Sequence, residues 1–501
     1  MRPTNRTSTT KKNPARRRSS NTIETLTKVS SGIPGLDQIT DGGLPFGRPT
    51  LVCGAAGCGK TLFAMQFLLH GTTQGEPGVF ISFEESPEDL AKNFASLGVD
   101  LKALRAKKLL EIDYVHLDAS EMEVAGEYNL DGLFVRLESA IAAVGAKRVV
   151  VDTLETVFAG LAQHAILRAE IARIFRWLKE KGVTTVITGE RDGAWLTRYG
   201  LEEYVSDCVI ALDHRIANQV STRRLRIVKY RGSGHGTNEY PFLIDDQGIT
   251  VLPVTALGLD YPVSSERVLT GVESLDEMLD GRGFYRGSTV LVSGSAGTGK
   301  SSITAQFADG ACRRGERVLF FALEEPASQI RRNMGSIGLD LDRWVAKGLL
   351  RFQAARPTVF GLEQHLVTMH KLVDQTKPNI VVIDPISSLI GAGDPLDVKA
   401  LSIRLFDYLK IKGITCMLTY LAAPETVSET AIGISSLIDT WLQLRDVEAA
   451  GERTRTLSIM KSRGMPHSNQ VCEVVISGGG VELVDARRLR RSTNAMSRRL
   501  G

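Results

Sequence analysis

Short runs of β-branched and aliphatic residues alternate along this chain with longer stretches whose apolar positions recur at helical spacing. The runs predict buried strands at Thr50–Cys53, Val79–Phe83, Val149–Val151 and Val183–Thr188. Helical spacing predicts helices over Lys60–His70, Pro87–Leu97 and Ile166–Lys181. Strands separated by helices imply an α/β fold with a mostly parallel sheet covered on both faces. Cys208–Leu212 and Arg223–Val228 read as an antiparallel extension of that sheet.

The pattern then starts again. Gly32–Asp37 returns as Gly271–Asp276, 239 residues on, and Gly54–Thr61 returns as Gly294–Ser301 after 240. Phe83-Glu84-Glu85 matches Leu323-Glu324-Glu325, again after 240. Val149–Asp152 matches Val381–Asp384, and Lys229–His235 matches Lys461–His467, both after 232. An offset that drifts only by small insertions means duplication. The expected organisation is a basic tail over 1–22, one unit over 23–255, a second over 256–485 and a basic tail over 486–501, with the junction near Pro253–Ser265.

Composition bounds the function. The 501 residues exceed one hydrophobic core, and 43% apolar with 24% charged residues excludes wholesale disorder. No apolar run approaches the roughly 18 residues that cross a bilayer. The N-terminus carries no apolar stretch after its charges, so no secretory signal is expected. Six scattered cysteines without a Cys-x-x-Cys pair read as reduced thiols of a cytoplasmic protein. The net charge of +4 conceals +7 in residues 1–20 and +5 in 485–501, so the body between the tails is acidic. The tails read as solvated arms, because neither has the aromatic or fold support that nucleic-acid binding needs.

Gly-x-x-x-x-Gly-Lys-Thr/Ser carries the most chemistry. Its glycines let backbone N–H groups wrap phosphates, and the following helix points its positive end at them. Two such loops at matching positions imply two nucleotide sites with Mg²⁺. Gly57, Gly59, Lys60, Thr61 and Leu62 form the first, and Gly297, Thr298, Gly299, Lys300, Ser301 and Ser302 the second. Lys60 and Lys300 are expected on the terminal phosphates, and the hydroxyls of Thr61 and Ser301 on Mg²⁺. Asp152 and Asp384, each ending an apolar run, fit the strand-end acid beside the metal. Glu84-Glu85 and Glu324-Glu325 suit general-base work, with Glu324 also a candidate metal contact.

The doubled phosphate loops, the Phe-Glu-Glu-Ser-Pro stretch at Phe83–Pro87 and the Lys-x-Arg-Gly-x-x-His segments resemble the KaiC family, the RecA-like ATPases and autokinases of the cyanobacterial clock. The resemblance spans roughly residues 25–485. It implies two tandem RecA-like P-loop NTPase domains and a homohexamer with ATP held between neighbouring subunits. Lys229, Arg231, Ser233 and His235 would complete the first-domain site across the interface. Arg455, Lys461, Arg463 and His467 would do so for the second. The resemblance also puts autophosphorylation on Ser435 and Ser436, with Ser436 where the family carries Thr, and Thr430 as a further hydroxyl nearby. The 232-residue offset carries the serine pair onto Glu203 and Tyr204, so the first copy lacks it. The first domain would then hydrolyse ATP and the second transfer phosphate to serine, with Glu324 as base and Glu325 in support.

The chain departs from the family at several points. Ile337 replaces an aromatic near the second base, Met465-Pro466 interrupts the second Lys-x-Arg-Gly segment, and Cys58 lies inside the first loop. The Arg-rich end at 487–501 is unlike the family's KaiA-docking segment, which argues against a KaiA-type partner. Asp118–Leu130 resembles the loop region used with KaiB, which points to a KaiB-like partner; a signalling kinase is the other partner expected. Two other readings stand beside this one. A RecA-like DNA motor shares the fold, although the acidic body and the lack of an aromatic or Gly-rich DNA loop argue against it. A nucleotide-gated scaffold without kinase activity is the other, and the intact Glu pairs argue against it.

Overall fold

The computed structural model describes residues 26–115, 123–124, 127–128, 131–157, 164–191, 205–217, 220–253, 263–422, 433–449 and 452–485. Thr430, Glu203, Tyr204, both basic tails, most of Asp118–Leu130 and most of the Pro253–Ser265 junction lie outside them. In the first half the strands are β1 (Pro49–Gly54), β2 (Gly78–Ser82), β3 (Leu110–Tyr114), β4 (Arg148–Asp152), β5 (Thr184–Glu190), β6 (Cys208–Ala217), β7 (Val220–Tyr230), β8 (Glu239–Asp245) and β9 (Gly248–Val251). They form one sheet in the order β9-β8-β7-β6-β1-β5-β4-β2-β3.

The second half repeats it. Its strands are β10 (Thr289–Gly294), β11 (Val318–Ala322), β12 (Leu350–Ala354), β13 (Ile380–Asp384), β14 (Thr415–Leu421), β15 (Thr440–Ala449), β16 (Glu452–Ser462), β17 (Cys472–Ser477) and β18 (Gly480–Asp485). The order β12-β11-β13-β14-β10-β15-β16-β17-β18 gives a second nine-stranded sheet. The fold is thus two RecA-like α/β units in tandem.

The strands that carry the phosphate loops are buried at all six positions, as a central parallel strand covered on both faces requires. Helices α1 (Lys60–Thr73) and α2 (Lys300–Arg313) follow those strands and pack into the core. The structure differs from the sequence expectation at β6. This strand runs parallel to β1, with Cys208 opposite Thr50, and only from β7 onward is the pairing antiparallel. A strand buried by a parallel neighbour and one buried by a hairpin have the same apolar composition, so periodicity alone does not separate them. Edge strand β3 went unnoticed in the sequence because only alternate side chains are buried.

Arg148 opens β4 at 2% exposure, and its guanidinium meets Glu76 at 2.7 Å and the carbonyls of Ser30 and Phe67 at 3.1 and 2.8 Å. It lies over the Phe67 ring and fills the space that a side chain at Gly71 would take. The seam between the halves is mixed. Leu243 and Leu252 join the apolar cluster of the second half, while Arg224 pairs with Glu363 and Lys371 with Asp245. All six cysteines are free and buried, and among the described residues no helix is long and apolar enough to cross a membrane.

Because Arg148 anchors the strand that ends in Asp152, Arg148→Ala leaves two carbonyls and Glu76 without their donor. It is expected to cost about 2–4 kcal/mol. Urea unfolding read by hydrogen exchange should show lost protection in β2, β4 and β5, with β10–β14 unaffected.

Candidate nucleotide sites

Gly54 and Gly294 end the central strands, and the loops that follow turn back into helix. Gly59 and Gly299 take φ of 104° and 98°, in the left-handed region that favours glycine. A Cβ at Gly59 would also strike the Ile244 side chain at 2.8 Å, and one at Gly299 would strike Ile476 at 2.9 Å. Gly57 and Gly297 instead face open space. The two loops therefore leave a backbone-lined hollow at a helix N-terminus, which fits a polyphosphate. Leu62 and Ser302 sit half-buried in the first helical turns.

The lysines are buried beside the hollow. Lys60 Nζ donates to the carbonyls of Gly54 and Ala55 at 2.9 and 3.1 Å, and Lys300 Nζ to Ser295 at 2.7 Å. Burial pulls Lys300 below the ordinary lysine range, opposed by the charges of Asp384, Glu324 and Asp446. Cys58 is fully buried, and burial raises its thiol pKa. Its counterpart Thr298 donates to Ser295 O at 2.9 Å.

Thr61 Oγ1 donates to Asp152 Oδ2 at 2.9 Å, and Thr188 donates to the other oxygen. Asp384 is held in the same way by Thr419 and Ser301. Burial raises both carboxyls, while these hydroxyl bonds pull them back. Among the described residues no cluster of three His, Cys, Asp or Glu could hold a metal. A hydroxyl and one carboxylate nevertheless fit Mg²⁺, which keeps waters and phosphate oxygens as its remaining ligands.

Glu84 and Glu324 are exposed at the same end of each sheet. Glu84 Oε1 accepts from Thr153 and Thr156 at 3.1 and 3.3 Å, and Glu324 Oε1 from Ser388 at 2.6 Å. Asn93 holds Glu85 at 2.8 Å. These hydroxyls were not singled out in the sequence, although the 232-residue offset relates Thr156 to Ser388.

The Lys-x-Arg segments are elsewhere. Val290 of β10 pairs with Thr440 of β15, so the turn Ser435–Leu437 before β15 lies at the N-terminal end of the sheet, away from the phosphate loop. The separation along the strands is on the order of 15–20 Å. Lys461 Nζ donates to Ser435 O and Arg463 Nη2 to Ser436 O, each at 2.8 Å. In the first half Lys229 pairs with Val209, and Val209 with Leu51, which is again the far end. Ser233 Oγ accepts from Lys28 at 2.7 Å, and His235 stacks on Tyr230. Arg231 and Arg463 share one backbone bond, N–H to Asp207 O and to Asp439 O, each at 2.9 Å. His467 Nδ1 lies 3.4 Å from Met465 O.

Arg455 parts company with its group. It stands opposite Asp446 at the loop end of β16, and its Nε donates to Gly297 O of the same chain at 3.2 Å. The repeat offset carries it onto Arg223, whose Nε is buried without a hydrogen-bond partner among the described residues. Arg223 was missed in the sequence, where that offset was its one signal. Of the departures, Ile337 packs against the second-half core and Met465 is buried within it.

Two P-loops, each backed by a strand-end aspartate and a glutamate, define a tandem P-loop NTPase. The profile of the family described as "ATPase: KaiC" matches residues 29–256 and 268–488. The chain is 52% identical over 465 residues to the Circadian clock protein KaiC2 of Synechocystis sp., covering 92% of this chain and 82% of that protein. It is 38% identical over 468 residues to the Circadian clock oscillator protein KaiC of Acaryochloris marina, covering 92% and 89%. It is 36% identical over 469 residues to the Circadian clock protein KaiC3 of Synechocystis sp., covering 91% and 92%. The chain belongs to the KaiC ATPase family.

The raised carboxyls give a sign to test. A carboxyl whose pKa is higher folded than unfolded stabilises the fold at low pH, and that contribution is lost as pH rises through the folded value. At pH 7 the buried charge of metal-free Asp384 therefore opposes folding. Asp384→Asn should make the metal-free protein more stable to heat, by a margin that grows as pH rises from below the ordinary aspartate range to neutrality. The same variant should lower Mg²⁺-dependent nucleotide turnover in the second half by about 100-fold.

Proposed function

We propose that the chain hydrolyses ATP in its first half and phosphorylates itself on Ser435 and Ser436 in its second, within a nucleotide-bridged homohexamer that serves as a circadian-type or signalling regulator. The observation that carries this reading is the polarity of the sheets. In each half the phosphate loop sits at one end of the strands and the Lys-x-Arg segment at the other. Ser435 and Ser436 share that far end with Lys461 and Arg463. Such a set is out of reach of its own nucleotide but well disposed to meet a neighbour's.

On this reading Lys60 and Lys300 exchange their backbone carbonyls for terminal phosphate oxygens. Thr61 with Asp152, and Ser301 with Asp384, would hold Mg²⁺, which supplies charge neutralisation when bound. Lys229, Arg231, Ser233 and His235 of one subunit would close the first pocket of the next. Lys461, Arg463 and His467 would close the second, whereas Arg455 stays with its own loop. Cations arriving from a neighbour stabilise charge on the transferring phosphoryl and tie turnover to assembly. Glu84 would orient a water, and Glu324 would take the proton of an incoming serine. The clock names of the relatives support a regulatory role, with a KaiB-like protein or a signalling kinase as the partner that reads it.

Mixing separates transfer between subunits from transfer within one. Chains carrying Lys300→Ala keep the serines but lack a working second pocket, and chains carrying Ser435→Ala with Ser436→Ala have the reverse. With Mg²⁺ and γ-labelled ATP the mixture should label Ser435 and Ser436 on the Lys300→Ala chains, which alone gain no label there. Absence of label on those serines in wild type, with ATP hydrolysis intact, would remove the proposed acceptors. Sedimentation with nucleotide should show a hexamer; a monomer at high concentration would count against the ring.

A further inference from the structure

We infer that Ser388 is a same-chain phosphoacceptor, its hydroxyl taking the γ-phosphoryl of the ATP bound by its own second half. This rests on the autokinase reading of that half and adds a site to it. A nucleophile and its base must lie within about 2.6–3.2 Å of each other. Ser388 Oγ donates to Glu324 Oε1 at 2.6 Å, and no other hydroxyl bonds that oxygen among the described residues. Ser388 belongs to the 3-10 turn Ile386–Ala392, which leaves β13 directly after Asp384. Strands β10, β14 and β13 are parallel, so this turn and the Gly294–Ser301 loop share one end of the sheet. Lys300 interacts electrostatically with both Asp384 and Glu324, which gathers phosphate ligand, metal ligand and base around the same hollow. Neighbouring Ser387 is committed elsewhere, accepting from Leu421 N at 3.1 Å.

The first half provides the contrast. There Glu84 Oε1 is divided between Thr153 and Thr156, which also bond each other at 3.2 Å. The repeat offset replaces Thr153 by Pro385, which has no hydroxyl, and Thr156 by Ser388. Two hydroxyls sharing one oxygen hold a carboxylate in place. One hydroxyl with that oxygen to itself is arranged to be deprotonated. In the step, Ser388 Oγ bonds to the γ-phosphorus while the bond from that phosphorus to the bridging β,γ-oxygen breaks. Its electron pair leaves with ADP, and the hydroxyl proton passes to Glu324 and then to solvent.

The test uses the full chain with Mg²⁺ and γ-labelled ATP, with fragmentation mass spectrometry to separate residue 388 from 387. Phosphate is expected on Ser388 in wild type and in the Ser435→Ala/Ser436→Ala variant. It should be lost in Ser388→Ala and kept at position 388 in Ser388→Thr, which preserves a hydroxyl; unchanged thermal unfolding of both shows that the fold is intact. Chains carrying Glu324→Gln, mixed with Ser388→Ala chains, should stay unmodified at Ser388, because base and acceptor must share one chain. Label on Ser388 of the Glu324→Gln chains overturns the same-chain geometry. Label confined to Ser435 and Ser436 overturns Ser388 as an acceptor and leaves the autokinase reading standing. No label anywhere overturns both.

Discussion

Direction along a parallel strand governs the chemistry of both halves. Because β1 and β10 lie between parallel neighbours, their carboxyl ends open onto the same side as those of β4 and β13. Phosphate loop, strand-end aspartate and glutamate therefore gather there without any long-range design beyond register. The same constraint sends the Lys-x-Arg segments to the opposite side, since β7 and β16 return antiparallel. In each half the phosphate loop and the Lys-x-Arg segment thus lie at opposite ends of one sheet. On the proposed reading, copies arranged head to tail would bring unlike ends together, the kind of contact that closes into rings.

Duplication preserved this frame while the side chains on it diverged. Arg148, buried against Glu76, has Ile380 at the matching position, and Glu316, the counterpart of Glu76, is instead met by Arg286 and Arg314. His214 bonds Ser221 where the second copy has Asp446, which pairs with Arg453 and bears on Lys300. Asp213, which bears on Cys58 in the first loop, in turn has Arg445 as its counterpart in the second copy. Substitutions of this kind change the electrostatics while the order and pairing of the strands stay the same.

Burial is a cost in these pockets as well as a support. Asp152 and Asp384 lie among apolar strands, and the hydroxyls of Thr188 and Thr419 offset only part of the desolvation. Lysine and aspartate are held on backbone and hydroxyl partners, which on the proposed reading a phosphate and a metal would replace. Such sites keep charges pre-oriented in a low-dielectric setting, where they act more strongly on a transferring phosphoryl than they would in water.

The linear order of residues determined the duplication, both phosphate loops, the acids that end β4 and β13, and the α/β class. Each of these is local, depending on a short motif, a run of buried residues or a constant offset. Folding decided what depends on relative direction. It made β6 a parallel partner of β1, sent Arg455 to its own loop and Lys461 to the serine turn, and set Ser388 against Glu324. Arg455 and Lys461 are six residues apart on one strand, yet strand length alone carries them to opposite ends of the sheet. A hydroxyl 64 positions from a carboxylate leaves no mark in composition or periodicity, and only the turn leaving β13 brings the two within bonding distance.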